Sequence, residues 1–184
     1  MKNLKQAANA LVLLLLVAVT SGCGGSNAKK LEGQWNVETI LTGSQLSGMA
    51  KYTEGMPPGA RLSRVTMKGT ANYHASGTMN HSLELMTMTV EAEGQAIELA
   101  FQGSMSGTWT LEGDTLTEVT TDIQMKPANE LTTAIFAQAD PAEFEKMFED
   151  ELDTTVSTIK FLSDDVIEET EQETGITVTM RRAH

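Results

Sequence analysis

The run "IELAFQGSMSGTWTL" puts Ile97, Leu99, Phe101, Gly103, Met105, Gly107, Trp109 and Leu111 on odd positions. Glu98, Gln102, Ser104, Ser106, Thr108 and Thr110 occupy the even ones. A period of two sustained this long describes an antiparallel strand with one dry face and one wet face. The pattern recurs along the chain. Trp35, Val37, Thr39 and Leu41 alternate with Gln34, Asn36 and Glu38, and Val65, Met67, Gly69, Ala71 and Tyr73 alternate with Arg64 to Asn72. Turn signals separate the runs: "AEGQ" at Ala92, "EGDT" at Glu112, leading to a strand that carries Val119, Ile123 and Met125, then "SDD" and "ETG" nearer the end. Apolar parity flips between Leu83-Leu85 and Met86-Met88-Val90, which predicts a β-bulge and a sheet that curls.

One helix is well marked, with Asp140 as N-cap, Pro141 at the first helical position and Glu143 placed for a capping box. Phe144, Met147, Phe148 and Leu152 share its apolar face, and "NELTTAIFAQA" before it has a weaker helical pattern. About eight strands follow from this reading, with a helical insertion between residues 127 and 153. Long curved hairpins leave unpaired edges unless the sheet closes, so the expected fold class is all-β, an antiparallel up-and-down barrel. Residues 31–184 form that single domain. Aromatic residues are only 5%, but 11 methionines and 40% apolar residues overall suffice for a core.

The N-terminus reads as a separate unit. Lys2 and Lys5 precede an uninterrupted apolar run of ten residues, Ala10 to Val19. A bilayer-spanning helix needs roughly 20, so the run matches the core of a secretory leader. It ends in Thr20-Ser21-Gly22-Cys23, which resembles the lipobox of bacterial lipoproteins and contains the chain's single cysteine. The resemblance implies a signal peptide over 1–22, cleavage before Cys23, a diacylglyceryl thioether on its sulfur and an acylated new N-terminus. Several acyl chains anchor a protein durably to a membrane. Gly24 after the cysteine implies sorting to the outer membrane, facing the periplasm, in a Gram-negative host. Gly24 to Lys30, "GGSNAKK", reads as a flexible tether spanning about 15 Å. One cysteine also excludes an internal disulfide framework and any Cys-based zinc pattern. The net charge of −12 repels phosphate backbones and argues against a nucleic-acid partner.

"LEGQWNVE" carries Gly33 and Trp35 in the spacing that opens lipocalin-type barrels, and "GTWTLEGDTLT", with Trp109, resembles a strand–turn–strand of bacterial lipocalin-like lipoproteins. The resemblance covers most of residues 31 to 182. It implies that Trp35 closes one end of a barrel and that an arginine from near the C-terminal end packs over it. Ile176, Val178 and Met180 share a face by strand parity, and Arg182 continues that face while Arg181 does not.

No constellation for catalysis stands out. His74, His81 and His184 are the only histidines, no Gly-x-Ser-x-Gly elbow accompanies them, and the expectation is a protein without enzymatic activity or cofactor. His74, Met79 and His81 offer imidazole and thioether ligands suited to copper. With no further ligand tied in, the preferred reading is two surface histidines beside an interior Met, with no metal. The acidic runs "EDELD" and "EETEQE" lack the spacing of a calcium loop and read as solvated faces. Strand methionines repack easily and suit either a plain core or an adaptable pocket. The candidate ligand-binding residues are Met67, Met86, Met88, Met105, Tyr73 and Arg182, with Met49 and Tyr52 in the long connection 43–60, where Leu46 and Met56 also lie. The expected function is binding of a small hydrophobic or amphipathic ligand in the cell envelope. The competing expectation is an interaction module that binds another envelope protein through the barrel surface or the 43–60 connection.

Overall fold

A computed structural model describes residues 26–46, 59–137 and 154–184. Eight strands follow in order: β1 (Gly33–Thr42), β2 (Arg61–Tyr73), β3 (Thr78–Ala92), β4 (Gln95–Glu112), β5 (Thr115–Pro127), β6 (Thr154–Ser163), β7 (Val166–Glu171) and β8 (Thr177–Arg182). Each pairs antiparallel with the next, and β8 returns to β1, giving a closed up-and-down barrel of lipocalin-like form. Among the described residues two short helices accompany it: α1 (Ser26–Leu31) before β1 and α2 (Glu130–Phe136) between β5 and β6.

The hairpins form where the turn chemistry demanded. Between β3 and β4 the two loop residues Glu93 and Gly94 both have positive φ, 52° and 78°. That is the type I′ geometry whose twist matches paired strands. The parity flip in β3 is a bulge, with the registers against both β2 and β4 shifting around Glu84 and Leu85 and leaving Leu85 on the outside. A second bulge in β5 was not legible. The register against β4 slips between Ser106↔Asp122 and Gly107↔Thr120, so Thr121 is extra. Below this bulge Leu116 and Glu118 are buried, while Val119, which the sequence suggested for the dry face, points outward. Glycine at position 107 makes the slip sterically feasible, because a Cβ there would clash with the Val119 carbonyl oxygen.

Up-and-down connectivity sorts the connections onto two ends. The β2–β3, β4–β5 and β6–β7 turns lie at one end with the start of β1 and the end of β8. The end of β1, the start of β2, the β3–β4 turn, α2 and the β7–β8 turn lie at the other. The first end is packed shut. Leu31, Trp35, Leu116, Ile159 and Ile167 are fully buried there with Tyr73, Trp109 and Met180. Trp35 donates from Nε1 to the Leu31 carbonyl at 2.7 Å. The Arg182 guanidinium lies 4.2 Å from the Trp35 ring centroid and donates to the carbonyls of Glu32 at 3.0 Å, Lys30 at 2.6 Å and Asp164 at 3.1 Å. Only Trp35, Asn36 and Val37 pair with β8, so this corner closes the cylinder.

Residues 26–30, expected as tether, are instead helical. Composition suggested a solvated linker, but Ala28 and Leu31 fall on one side of α1 and are buried against the closed end. Asn27 secures the helix by donating from Nδ2 to the Gly113 carbonyl at 3.3 Å and to Asp114 Oδ1 at 3.2 Å. Helix α2 matches the weaker helical pattern. Asn129 caps it, accepting from the Thr132 amide at 2.7 Å, and Thr132 Oγ1 accepts from the Ala100 amide at 2.8 Å, which fixes the helix to β4. The helix expected over Asp140–Leu152 lies outside the described residues.

Candidate functional site

Strands β2 to β5 run 13 to 18 residues, whereas β6 to β8 run 6 to 10. The long wall overhangs the short one. Above the Trp35–Tyr73 layer the described residues leave a cavity of about 480 Å³ that extends to the β7–β8 turn at Gln172 and Thr174. Its volume falls in the range of small-molecule sites. Val37, Leu41, Met67, Met105, Ile176 and Val178 supply an apolar lining.

The sequence candidates divide by location. Met67, Tyr73 and Met105 line the cavity. Met86 and Met88 do not; they pack half-buried with Leu41, Leu62 and Val65 in a second core near the open end. Arg182 does not line it either, because its side chain is committed to Trp35 and three carbonyls at the closed end. Gly33 starts β1 with φ of 114°, and a Cβ there would come within 2.9 Å of the Arg182 guanidinium. Trp109 is buried beneath the cavity, with Nε1 shared between the carbonyls of His74 and Thr78, both at 3.1 Å, and its ring edge-on to Tyr73. Met49, Tyr52 and Cys23 lie outside the described residues.

On the cavity floor is a polar cluster that the sequence reading missed. Tyr73 donates its hydroxyl to Glu118 Oε1 at 2.9 Å, and His81 Nε2 lies 3.3 Å from the same oxygen without an aligned hydrogen bond. Glu169 joins from β7, and Ser157 from β6 is 1% exposed with its hydroxyl unpartnered among the described residues. His81, expected at the surface, therefore faces inward on the same side of β3 as Met79. His74 is the outer histidine, within 3.0 Å of the Asn80 side-chain nitrogen. Among the described residues no group of three His, Cys, Asp or Glu side chains is arranged to hold a metal ion.

The environment sets the protonation of each group. Burial raises the Glu169 carboxyl, the charge of Glu118 raises it further, and its pKa reaches about 7; Ser157 and His81 draw it down only in part. The water-accessible surface of Glu169 faces the cavity, and protein surrounds the rest of the side chain. For His81, burial is the strongest influence and disfavours charge. Glu118, with a smaller contribution from Glu169, outweighs it, so the imidazole titrates above its ordinary value. Tyr73 is driven well above the usual phenol range by burial and by Glu118, and it remains a hydrogen-bond donor.

A lipocalin-like barrel closed at one end, with a cavity that is apolar on its walls and acidic on its floor, is the class of protein that fold and site define. No protein-family model matches the chain, and no curated protein matches it at a significant level.

Proposed function

We propose that this protein is a membrane-anchored, lipocalin-like lipoprotein that binds a small hydrophobic or amphipathic ligand in the cell envelope. The observation that carries the reading is the interior space that the described residues leave unfilled. A barrel built only for stability would close both ends with side chains, as this one does around Trp35. Here a cavity of about 480 Å³ is left above that layer and walled by methionine and aliphatic residues. The reading is of a non-enzymatic binder, because the sequence carries no Gly-x-Ser-x-Gly elbow or other recognisable catalytic motif. The neutral fluorophore N-phenyl-1-naphthylamine, added to soluble protein lacking residues 1–23, should bind with one-to-one stoichiometry and a blue-shifted emission. Substituting Met105→Trp, which fills the cavity, should abolish the signal. If wild type shows no saturable binding and a stoichiometric envelope protein co-purifies instead, the interaction-module reading takes its place.

The anchor belongs to the same proposal and rests on the lipobox at Thr20–Cys23. Helix α1 begins at Ser26 against the closed end, so Gly24 and Gly25 alone separate it from Cys23. Two residues reach no more than about 10 Å even fully extended. The closed end then faces the lipid surface and the cavity mouth faces the periplasm, so ligand enters from the aqueous side. Cys23→Ser should move the protein from the membrane fraction to the soluble fraction. Wild-type protein that is already soluble after cell lysis would remove the anchor from the proposal.

A further inference from the structure

The apolar wall specifies a tail; the floor specifies what the tail carries. We propose that the occupant of this cavity is an amphipathic amine, with its hydrocarbon part along Met67, Met105 and Leu41 and its ammonium group seated between Glu118 and Glu169. The inference rests on the reading that the cavity binds a ligand, and it names the chemical class.

The cavity's charges point one way. Glu118, Glu169, Glu171 and Glu173 border it, against the single imidazole of His81. Lys68 is the one bordering residue with an ammonium group among the described residues. It sits on the outside of β2, where Nζ lies 3.1 Å from Glu84 in a pair that is mostly exposed. The arginine that parity directs inward, Arg182, is held at the closed end. His81 and Tyr73 are both engaged with Glu118, and among the described residues no cationic side chain lies within ion-pair distance of Glu169, which feels His81 only at longer range. A carboxylate or phosphate head would meet like charges in a water-poor site, where repulsion is strong. A protonated amine meets the opposite sign, and the buried Ser157 hydroxyl beside Glu169, whose oxygen accepts from no group among the described residues, provides an acceptor for one of its N–H groups.

The same geometry predicts how binding depends on pH. Glu169 holds a proton near neutrality in the empty barrel, and an ammonium ion takes that proton's place. Amine affinity should therefore rise from pH 6 to pH 8. A further loss of charge from His81 over that range acts in the same direction. Glu118, Glu171, Tyr73 and Ser157 are the other groups facing Glu169, and none of them adds a positive charge that would reverse the trend.

The test uses full-length protein in phosphatidylcholine vesicles and three ten-carbon probes with a diazirine near the tail, ending in a primary amine, a hydroxyl or a carboxylate. Photolabelling is mapped by mass spectrometry to β2 and β4 peptides containing Met67 and Met105. The amine should label these peptides at least tenfold more than the alcohol at equal concentration, with the carboxylate weakest. Labelling by the amine should rise several-fold from pH 6 to pH 8. Glu169→Gln should cut it at least fivefold, in protein shown by a cooperative thermal transition to be folded. Equal or stronger labelling by the alcohol or the carboxylate overturns the amine while leaving ligand binding intact. Absence of labelling by all three probes overturns both readings, and undiminished amine labelling in Glu169→Gln overturns the seat assigned to the head group.

Discussion

Replacing Trp35 by alanine is expected to lower the stability of this barrel by about 4 kcal/mol, at the upper end of what one core truncation does. Trp35 is fully buried, and three structural units meet on it. Its ring carries the Arg182 guanidinium, its Nε1 satisfies the Leu31 carbonyl at the end of α1, and its backbone pairs with Arg182 where the cylinder closes. Truncation leaves a large void, orphans a buried acceptor and removes the surface against which the arginine is held. Trp35→Phe retains most of the apolar area and loses the indole N–H, so it should cost about 1–2 kcal/mol. Urea unfolding followed by circular dichroism measures both. A Trp35→Ala unfolding free energy within about 1 kcal/mol of wild type would show that the corner does not hold the barrel shut. Domains of this size commonly have 5–15 kcal/mol in total, so the alanine variant should be close to unfolding at growth temperature.

This corner was expected from the resemblance to lipocalin-type barrels, and strand parity selected which C-terminal arginine takes part. Counting by twos from Ile176 puts Arg182 on the inner face, and the same count from Trp35 gives the inner face of β1. The turns were legible for a similarly local reason, since Gly94 and Gly113 carry the positive φ values that glycine adopts without steric cost. The acidic floor was not, and two separate physical reasons hid it. In β5 the extra residue Thr121 breaks the count, so parity taken from Ile123 and Met125 selects Val119 and rejects Glu118. One hint was present in Gly107 of β4, whose missing Cβ makes room for the slip. In β7 the run "EETEQE" looks uniformly polar, and charge runs are usually solvated. Ile167 supplied the phase, because it is buried and Glu169 and Glu171 fall on its side of the strand. Composition outweighed periodicity at the place where periodicity was the better guide. The α1 helix shows the converse, since four of its six residues are polar or charged and only the placement of Ala28 and Leu31 reveals its packing face.

A buried acid on the floor makes stability depend on pH in a direction opposite to the usual behaviour of surface carboxylates. In the unfolded chain Glu169 releases its proton near 4.5, whereas in the barrel it does so near 7. Between those values the folded state binds the extra proton, so stability must fall as pH rises, and the loss is complete once the folded group has titrated. His81 contributes with the same sign. Its folded value is raised, so its stabilisation is full below about 6.5 and is lost as pH climbs through the raised value. The barrel should therefore be most stable near pH 5 and lose about 3 kcal/mol by pH 8, a fall of roughly 10 °C in melting temperature. Glu169→Gln keeps the side chain's shape and carries no charge at any pH. It should remove most of the slope, leave the smaller part due to His81, and melt above wild type at pH 8. A wild-type melting temperature that is flat or rising between pH 5 and pH 8, or a variant that keeps the full slope, would contradict the assignment. The same linkage connects stability to the proposed ligand. A bound ammonium ion supplies the charge that the missing proton leaves uncompensated, so a saturating alkylamine should stabilise the wild-type protein more at pH 8 than at pH 5 and flatten the profile. The cluster that destabilises the empty barrel at neutral pH is the one that selects what fills it.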